Sequence, residues 1–102
     1  MLAGECLLLV EGEERKLRAW DFVHCPPETN HMIVGAGDGP AVVLAVGARG
    51  RGRSGIVYPV TELAVRYAAG VKAETASPKE AYASYPDERV ERPSYWDRLP
   101  WA

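Results

Sequence analysis

The chain has 102 residues, of which 47% are apolar and 25% charged, a composition typical of one small globular domain. Twelve Lys and Arg against fourteen Asp and Glu give a net charge of −2, which excludes a generally basic nucleic-acid coat. No apolar run approaches the roughly 18 residues of a membrane span, and the N-terminus lacks the basic start of a signal peptide. We therefore predict a cytoplasmic protein with no nucleic-acid partner and no membrane partner.

The first half of the chain has the pattern of β-structure, with apolar runs of strand length between turn residues. Glu11-Gly12 is a turn that returns the chain antiparallel as a hairpin. The run at 41–46 is apolar throughout, which predicts a strand buried on both faces. Regularly spaced strands favour a sandwich or a barrel. The expected strands lie at residues 6–10, 13–17, 21–25, 31–34 and 41–46.

The second half differs in composition, and the break falls at an Arg- and Gly-rich loop near residue 49. A helix is predicted from Thr61 to Ala69, ending at Gly70. Ser77-Pro78-Lys79-Glu80 has the pattern of a capping box with proline at the first helical position, which predicts a second short helix. We divide the chain into residues 1–48, a β-barrel part, and residues 49–102, comprising loop, short helices and an aromatic tail.

The stretch from Trp20 to Gly35 resembles the second conserved motif of the cupin superfamily. That motif has Gly, five residues, Pro, one residue, Gly, two residues, His, three residues and Asn. Pro26 and His31 stand at the Pro and His positions, whereas Trp20 and Glu28 replace the two glycines and Gly35 replaces the Asn. The resemblance implies an incomplete antiparallel jelly-roll barrel of the cupin type, followed by a short C-terminal helical and irregular extension. Residues 49–102, with their aromatic tail, are expected to pack on the barrel or on a partner.

The resemblance also implies where a metal would bind. Cupin metal sites usually take His-x-His and Glu from the first motif and His from the second. Gly4 resembles the glycine that ends the first motif, so the metal ligands of the first motif would precede Met1. His31 is then the one candidate metal ligand in this chain, and the alternative is a histidine near a strand start that bonds to backbone or water. A site for Mn, Fe, Ni or Zn would need ligands from outside this chain. The chain is then either a truncated cupin or a variant that lost its metal chemistry.

Three functional hypotheses follow from the resemblance, and none of them assigns a catalytic residue. The first is a small-molecule binding or sensing module without a complete metal site in this chain. The second is a remnant or truncated form of a metal-dependent enzyme of the isomerase or dioxygenase type. The third is a structural dimerisation module. An incomplete barrel exposes strand edges, so we also predict a homodimer that covers the open edge.

Other chemical groups receive mainly structural interpretations. Cys6 and Cys25 are expected to be small buried apolar residues, with a disulfide between them as the alternative. His24 lies within a predicted strand, where a functional role is the alternative. The remaining groups are interpreted as solvated turns, flexible loops and packing aromatics. They are the acidic cluster at Glu5, Glu11, Glu13 and Glu14, the loop Arg49–Arg53, the turn Gly35–Gly39, and the aromatic residues Trp20, Tyr82, Tyr85, Tyr95, Trp96 and Trp101.

Overall fold

The computed structural model describes residues 1–47, 55–86 and 90–99. The fold is small and mostly β, with an open three-stranded antiparallel sheet and short helical pieces. The described residues form neither a closed barrel nor a jelly roll. The sheet has the order β2-β1-β3, with β1 at Glu5–Val10, β2 at Glu13–Arg18 and β3 at His31–Ala36. The helical pieces are α1 at Glu62–Arg66, α2 at Pro78–Ala81 and a 3-10 turn at Trp96–Arg98.

Strands β1 and β2 form the predicted hairpin. Val10 pairs with Glu13, so the turn consists of Glu11 and Gly12, whose φ angles are 49° and 81°. Positive φ at both central positions defines a type I′ turn, whose twist matches that of the flanking strands. Strand β2 lies at the edge of the sheet, and five of its six side chains are charged. Charges along an edge strand oppose pairing with another chain.

Strand β1 is central and supplies most of the buried core. Cys6 and Leu8 lie on one face of the sheet and Leu9 on the other, and they are exposed by 0%, 3% and 5%. Burial on both faces explains why this strand is a continuous apolar run and does not alternate with polar residues. Leu8 pairs with Arg15 of β2 on one side and with Ile33 of β3 on the other. These three side chains therefore form one row across the sheet.

The predicted strands at 21–25 and 41–46 are wrong. Residues 21–26 have no strand assignment, and within 41–46 only Val42 forms a β-bridge, with Ala3. Phe22 and Val46 are each 89% exposed, so these apolar runs are not buried. A strand needs a neighbour that satisfies its backbone groups, and apolar pattern alone does not reveal whether that neighbour exists.

Both helices begin where the sequence predicts but are shorter than expected. The Thr61 side chain accepts a hydrogen bond from the Ala64 amide at 3.2 Å, and α1 ends at Arg66 because Ala68 already has a φ of 52°. Ser77 caps α2, with its hydroxyl 3.4 Å from the Glu80 amide.

The segment after residue 55 contacts one face of the sheet. Gly70 has a φ of 80°, and a Cβ atom there would lie 3.0 Å from Ala64 Cβ and 3.6 Å from Met32 Cε. Glycine is favoured here because the positive φ strains other residues and a Cβ atom would crowd Ala64, whereas its distance from Met32 is that of an ordinary contact. Glu14 of β2 makes a second connection. It accepts a hydrogen bond from Tyr67, which raises the pKa of the tyrosine, and lies 3.9 Å from the Arg66 guanidinium.

Gly4, Trp20 and Glu28 also have left-handed backbone, with φ angles of 75°, 74° and 67°. A Cβ atom at Gly4 would lie 2.3 Å from the Pro40 carbonyl oxygen, so this position also requires glycine for space. Trp20 and Glu28 adopt a conformation that costs about 1–2 kcal/mol for residues with a side chain.

Candidate functional site

A half-open cavity of about 360 Å³ lies where one end of the sheet meets residues 55–82. Its lining is mainly apolar and aromatic, with a few polar groups at the chain between the hairpin turn and β3. This size and composition are typical of pockets for small molecules. The apolar and aromatic lining consists of Leu9, Met32, Ile56, Val57, Tyr58, Pro59, Leu63, Val71 and Tyr82. The other lining residues are Glu11, Gly12, Thr29, Asn30, His31, Thr61 and Gly70.

The polar end of the cavity is held by a reciprocal contact between Glu11 and Asn30. The Glu11 amide donates to the Asn30 carbonyl at 3.0 Å, and the Asn30 amide donates to the Glu11 carboxylate. The left-handed turn at Glu11 and Gly12 aims the carboxylate at the start of β3. This contact fixes the backbone immediately before His31.

His31 begins β3 and lines the cavity, with its Nδ1 atom 2.9 Å from the Thr29 carbonyl oxygen. A carbonyl can only accept, so in the neutral ring the proton lies on Nδ1 and Nε2 carries the lone pair. The local contact thus orients the ring and leaves Nε2 as an acceptor. His31 is exposed, which allows a ligand to reach it.

Two tyrosines form the aromatic wall. The rings of Tyr58 and Tyr82 lie 5.8 Å apart at an interplanar angle of 83°, an edge-to-face arrangement. Tyr58 is positioned by two backbone hydrogen bonds with Thr75, of 2.8 Å and 3.2 Å. A flat ligand could therefore contact one aromatic face while its polar end reaches Asn30 and His31.

The metal role expected for His31 stays a prediction. In the described part of the chain, no group of three or more His, Cys, Asp or Glu side chains could hold a metal ion. His24 is exposed in the segment that does not form a strand, and it does not line this cavity. The described residues therefore do not supply the three or more protein ligands that a first-row metal needs.

The two cysteines are free thiols, so the disulfide alternative is wrong in this structure. Cys6 is fully buried, as predicted, and its thiol lies 3.3 Å from Met1 Sδ. Burial raises the pKa of Cys6 above its usual range. Cys25 is partly exposed, so the prediction that both cysteines are buried is correct only for Cys6.

The acidic cluster separates into individual contacts. Glu5 lies 3.1 Å from Lys16, Glu13 lies 2.9 Å from Arg15, and Glu14 contacts α1. Glu11 alone reaches the cavity. This arrangement agrees with the interpretation of the cluster as mainly surface structure, apart from Glu11.

The turn near residue 37 and the aromatic tail agree in part with their structural interpretations. Gly37 has a φ of 80° in the turn after β3, whereas Gly35 lies within that strand. Trp96 has the Arg92 guanidinium 5.9 Å from its ring centre. The Arg49–Arg53 loop and Trp101 lie outside the described residues.

A second cavity of about 540 Å³ lies between the two helices. Its lining includes Val65, Lys72, Glu74, Glu80 and Tyr85. The Thr75 hydroxyl donates to Glu80 at 2.5 Å, so one of the two carboxylates is already engaged. The first cavity has a histidine oriented by a hydrogen bond and a polar end held at the start of a strand. The lining of the second cavity has neither.

Comparisons with protein-family models, curated proteins and solved structures give no significant match. No family is shown. No helix in residues 1–47, 55–86 and 90–99 is long and apolar enough to cross a membrane.

Sequence reasoning identified His31 and the Glu11-Gly12 turn, but it did not place them at one cavity. It also missed Tyr58 and Asn30. The antiparallel register of β1 with β3 places Val10 opposite His31, and this register is what brings the turn beside Asn30. A correct strand pairing could have found Asn30, whereas Tyr58 depends on packing between distant parts of the chain.

Proposed function

We propose that this chain is a cupin-type small-molecule binding module, and that its ligand occupies the cavity beside His31. The observation that carries the proposal is the cavity itself, which combines an aromatic and apolar wall with an ordered polar end. A pocket of this kind binds the ligand's apolar body by burial and orients it by a few hydrogen bonds. No catalytic residue is assigned.

The backbone supports the cupin resemblance at particular positions. Gly4, Trp20 and Glu28 occupy the three positions where the cupin pattern has glycine, and all three have a positive φ. Glycine is favoured there because only glycine adopts this conformation without steric cost. The positive φ at all three positions supports a shared local chain path, although two of the glycines are replaced. The incomplete jelly-roll barrel that the resemblance implies remains part of the proposal.

The charge at the polar end favours a neutral ligand over an acid. Glu11 carries the one carboxylate among the cavity residues, and this carboxylate is directed at the start of β3. An anionic ligand would be repelled by that carboxylate, whereas an amide could donate to His31 Nε2 and accept from Asn30. We therefore infer a small neutral molecule with a flat apolar body and an amide-like end.

The test is a titration of the ¹⁵N-labelled chain with benzamide and, separately, with benzoate. Benzamide is expected to shift the amide resonances of Asn30, His31 and Tyr58 saturably, and benzoate to bind more weakly. Tyr58→Leu should weaken benzamide binding about tenfold, since loss of an aromatic contact of roughly 1.4 kcal/mol gives that factor. Tyr95→Leu is the matched control, because Tyr95 does not line this cavity.

Two outcomes would overturn the proposal. One is an absence of saturable shifts in the cavity residues at any accessible benzamide concentration. The other is an equal loss of affinity in Tyr58→Leu and Tyr95→Leu, which would place the ligand elsewhere.

A further inference from the structure

The outer edge of β3 differs from the outer edge of β2 at the other side of the sheet. β2 has five charged side chains in six residues, whereas β3, with the sequence HMIVGA, has no Asp, Glu, Lys or Arg. Within the described residues, the backbone groups of β3 that face away from β1 have no backbone hydrogen-bond partner. Natural sheets protect free edges with charges, prolines or bulges, and β3 has no charge and no proline.

The side chains of β3 are consistent with an edge that is covered. Ile33 is 45% exposed although it stands in the same cross-strand row as the buried Leu8. On the opposite edge, the position in that row is Arg15, an exposed charged residue. The sequence thus places a charge at one end of the row and a large apolar residue at the other.

We propose that β3 pairs antiparallel with β3 of a second copy of this chain, giving a two-fold symmetric dimer with a continuous six-stranded sheet. A second copy fits because the edge is neutral, so placing it opposite itself brings no like charges together. A symmetric dimer uses the same surface patch on both subunits, which a neutral self-complementary strand provides.

Strand geometry restricts the register of this pairing. Residues opposite one another in an antiparallel sheet share a face, so a two-fold axis through the sheet must pass beside one residue and its own copy. Centring the axis on Ile33 places Met32 opposite Val34 of the second copy and His31 opposite Gly35 of the second copy. This register buries Ile33 against Ile33 of the second copy and gives the His31 ring a neighbour without a side chain.

The proposed edge shares His31 and Met32 with the cavity, so the dimer is tested by the mass of the chain without ligand. The first measurement is the sedimentation-equilibrium mass of the full chain at micromolar concentration. We expect twice the chain mass of 11.2 kDa. A mass of one chain over the whole concentration range would overturn the proposal.

Substitution of Ile33 tests the edge itself. Ile33→Lys is expected to give a folded monomer, since two lysines would meet at the two-fold axis. Arg15→Lys, at the same row on the β2 edge, is the matched control and should remain dimeric. Circular dichroism establishes that each variant is folded. A folded Ile33→Lys chain that is still a dimer would exclude this edge.

A cysteine at the axis tests the register without depending on a destabilised variant. In a Cys25→Ser background, Ile33→Cys should form a symmetric disulfide on mild oxidation, because directly opposed residues have the separation that a disulfide requires. Val34→Cys should cross-link much more slowly, since it would face Met32 of the second copy. Faster cross-linking of Val34→Cys would contradict the register.

Discussion

The Asn30 amide donates a hydrogen bond to the carboxylate of Glu11, nineteen residues earlier in the chain. This contact joins the β1–β2 turn to the start of β3 and fixes the backbone that precedes His31. The polar end of the cavity therefore depends on a hairpin turn, and a change at position 11 should be detected at His31.

Glu11→Gln tests this connection, because it keeps the shape of the side chain and removes its charge. We expect a loss of about 1 kcal/mol in the free energy of unfolding, since hydrogen bonds to charged acceptors exceed those to neutral ones and this one is exposed. Urea denaturation measures the loss. Glu13→Gln is the control, because Glu13 contacts only an exposed arginine in the described structure. Equal effects of the two substitutions would show that the Asn30 contact contributes nothing.

Gly4 and Gly12 provide a matched pair of substitutions that tests the packing at residue 40. Gly4→Ala should destabilise the chain by about 2–4 kcal/mol, because the added Cβ atom meets the Pro40 carbonyl in addition to adopting positive φ. Gly12→Ala should cost about 1 kcal/mol, since no atom lies within 4 Å of that Cβ position. Thermal and urea unfolding of both variants would measure the difference. Equal losses would mean that Gly4 is not closely packed against residue 40.

Glu28→Gly should stabilise the fold by up to about 1 kcal/mol, because glycine removes the cost of the left-handed backbone and only part of the gain is lost to chain entropy. The control is Glu13→Gly, in strand β2, where glycine should destabilise. A loss of stability in Glu28→Gly would contradict the backbone conformation that supports the cupin resemblance.

The contact between Tyr67 and Glu14 predicts a dependence of stability on alkaline pH. The hydrogen bond to Glu14 raises the pKa of Tyr67 above its usual value of 10, so the folded chain holds this proton more tightly than the unfolded chain. The contribution is complete below pH 10 and is lost as the pH rises through the folded-state pKa. Above pH 10, the free energy of unfolding should therefore fall more steeply with rising pH in the wild type than in Tyr67→Phe. The same pH dependence in both proteins would exclude the contact.

Thiol labelling tests the different burial of the two cysteines. Cys25 should react with a thiol reagent in the folded chain, whereas Cys6 should react only on unfolding, because it is buried and its raised pKa keeps it protonated. Mass spectrometry of the labelled peptides distinguishes them. Reaction of both thiols at the same rate in the native state would contradict the packing of β1.

The parts of the fold that sequence predicts well are those set by local chemistry. The turn at Glu11-Gly12, the helix starts at Thr61 and Ser77 and the apolar run of β1 are all set within a few residues. The strand expected at 21–25 failed because pairing depends on a distant neighbour. The same reason explains why Tyr58 was missed, since its place in the cavity follows from its backbone pairing with Thr75.

Intermolecular nuclear Overhauser effects between bound benzamide and the labelled chain would show whether the ligand occupies the cavity beside His31. We expect contacts from the benzamide ring to Tyr58 and Leu9, and from its amide to Asn30 and His31. We also expect these contacts to be lost in Tyr58→Leu, with the sheet resonances unchanged. Contacts confined to the second cavity, at Val65 or Tyr85, or no contacts from a chain shown to be folded, would contradict the claim.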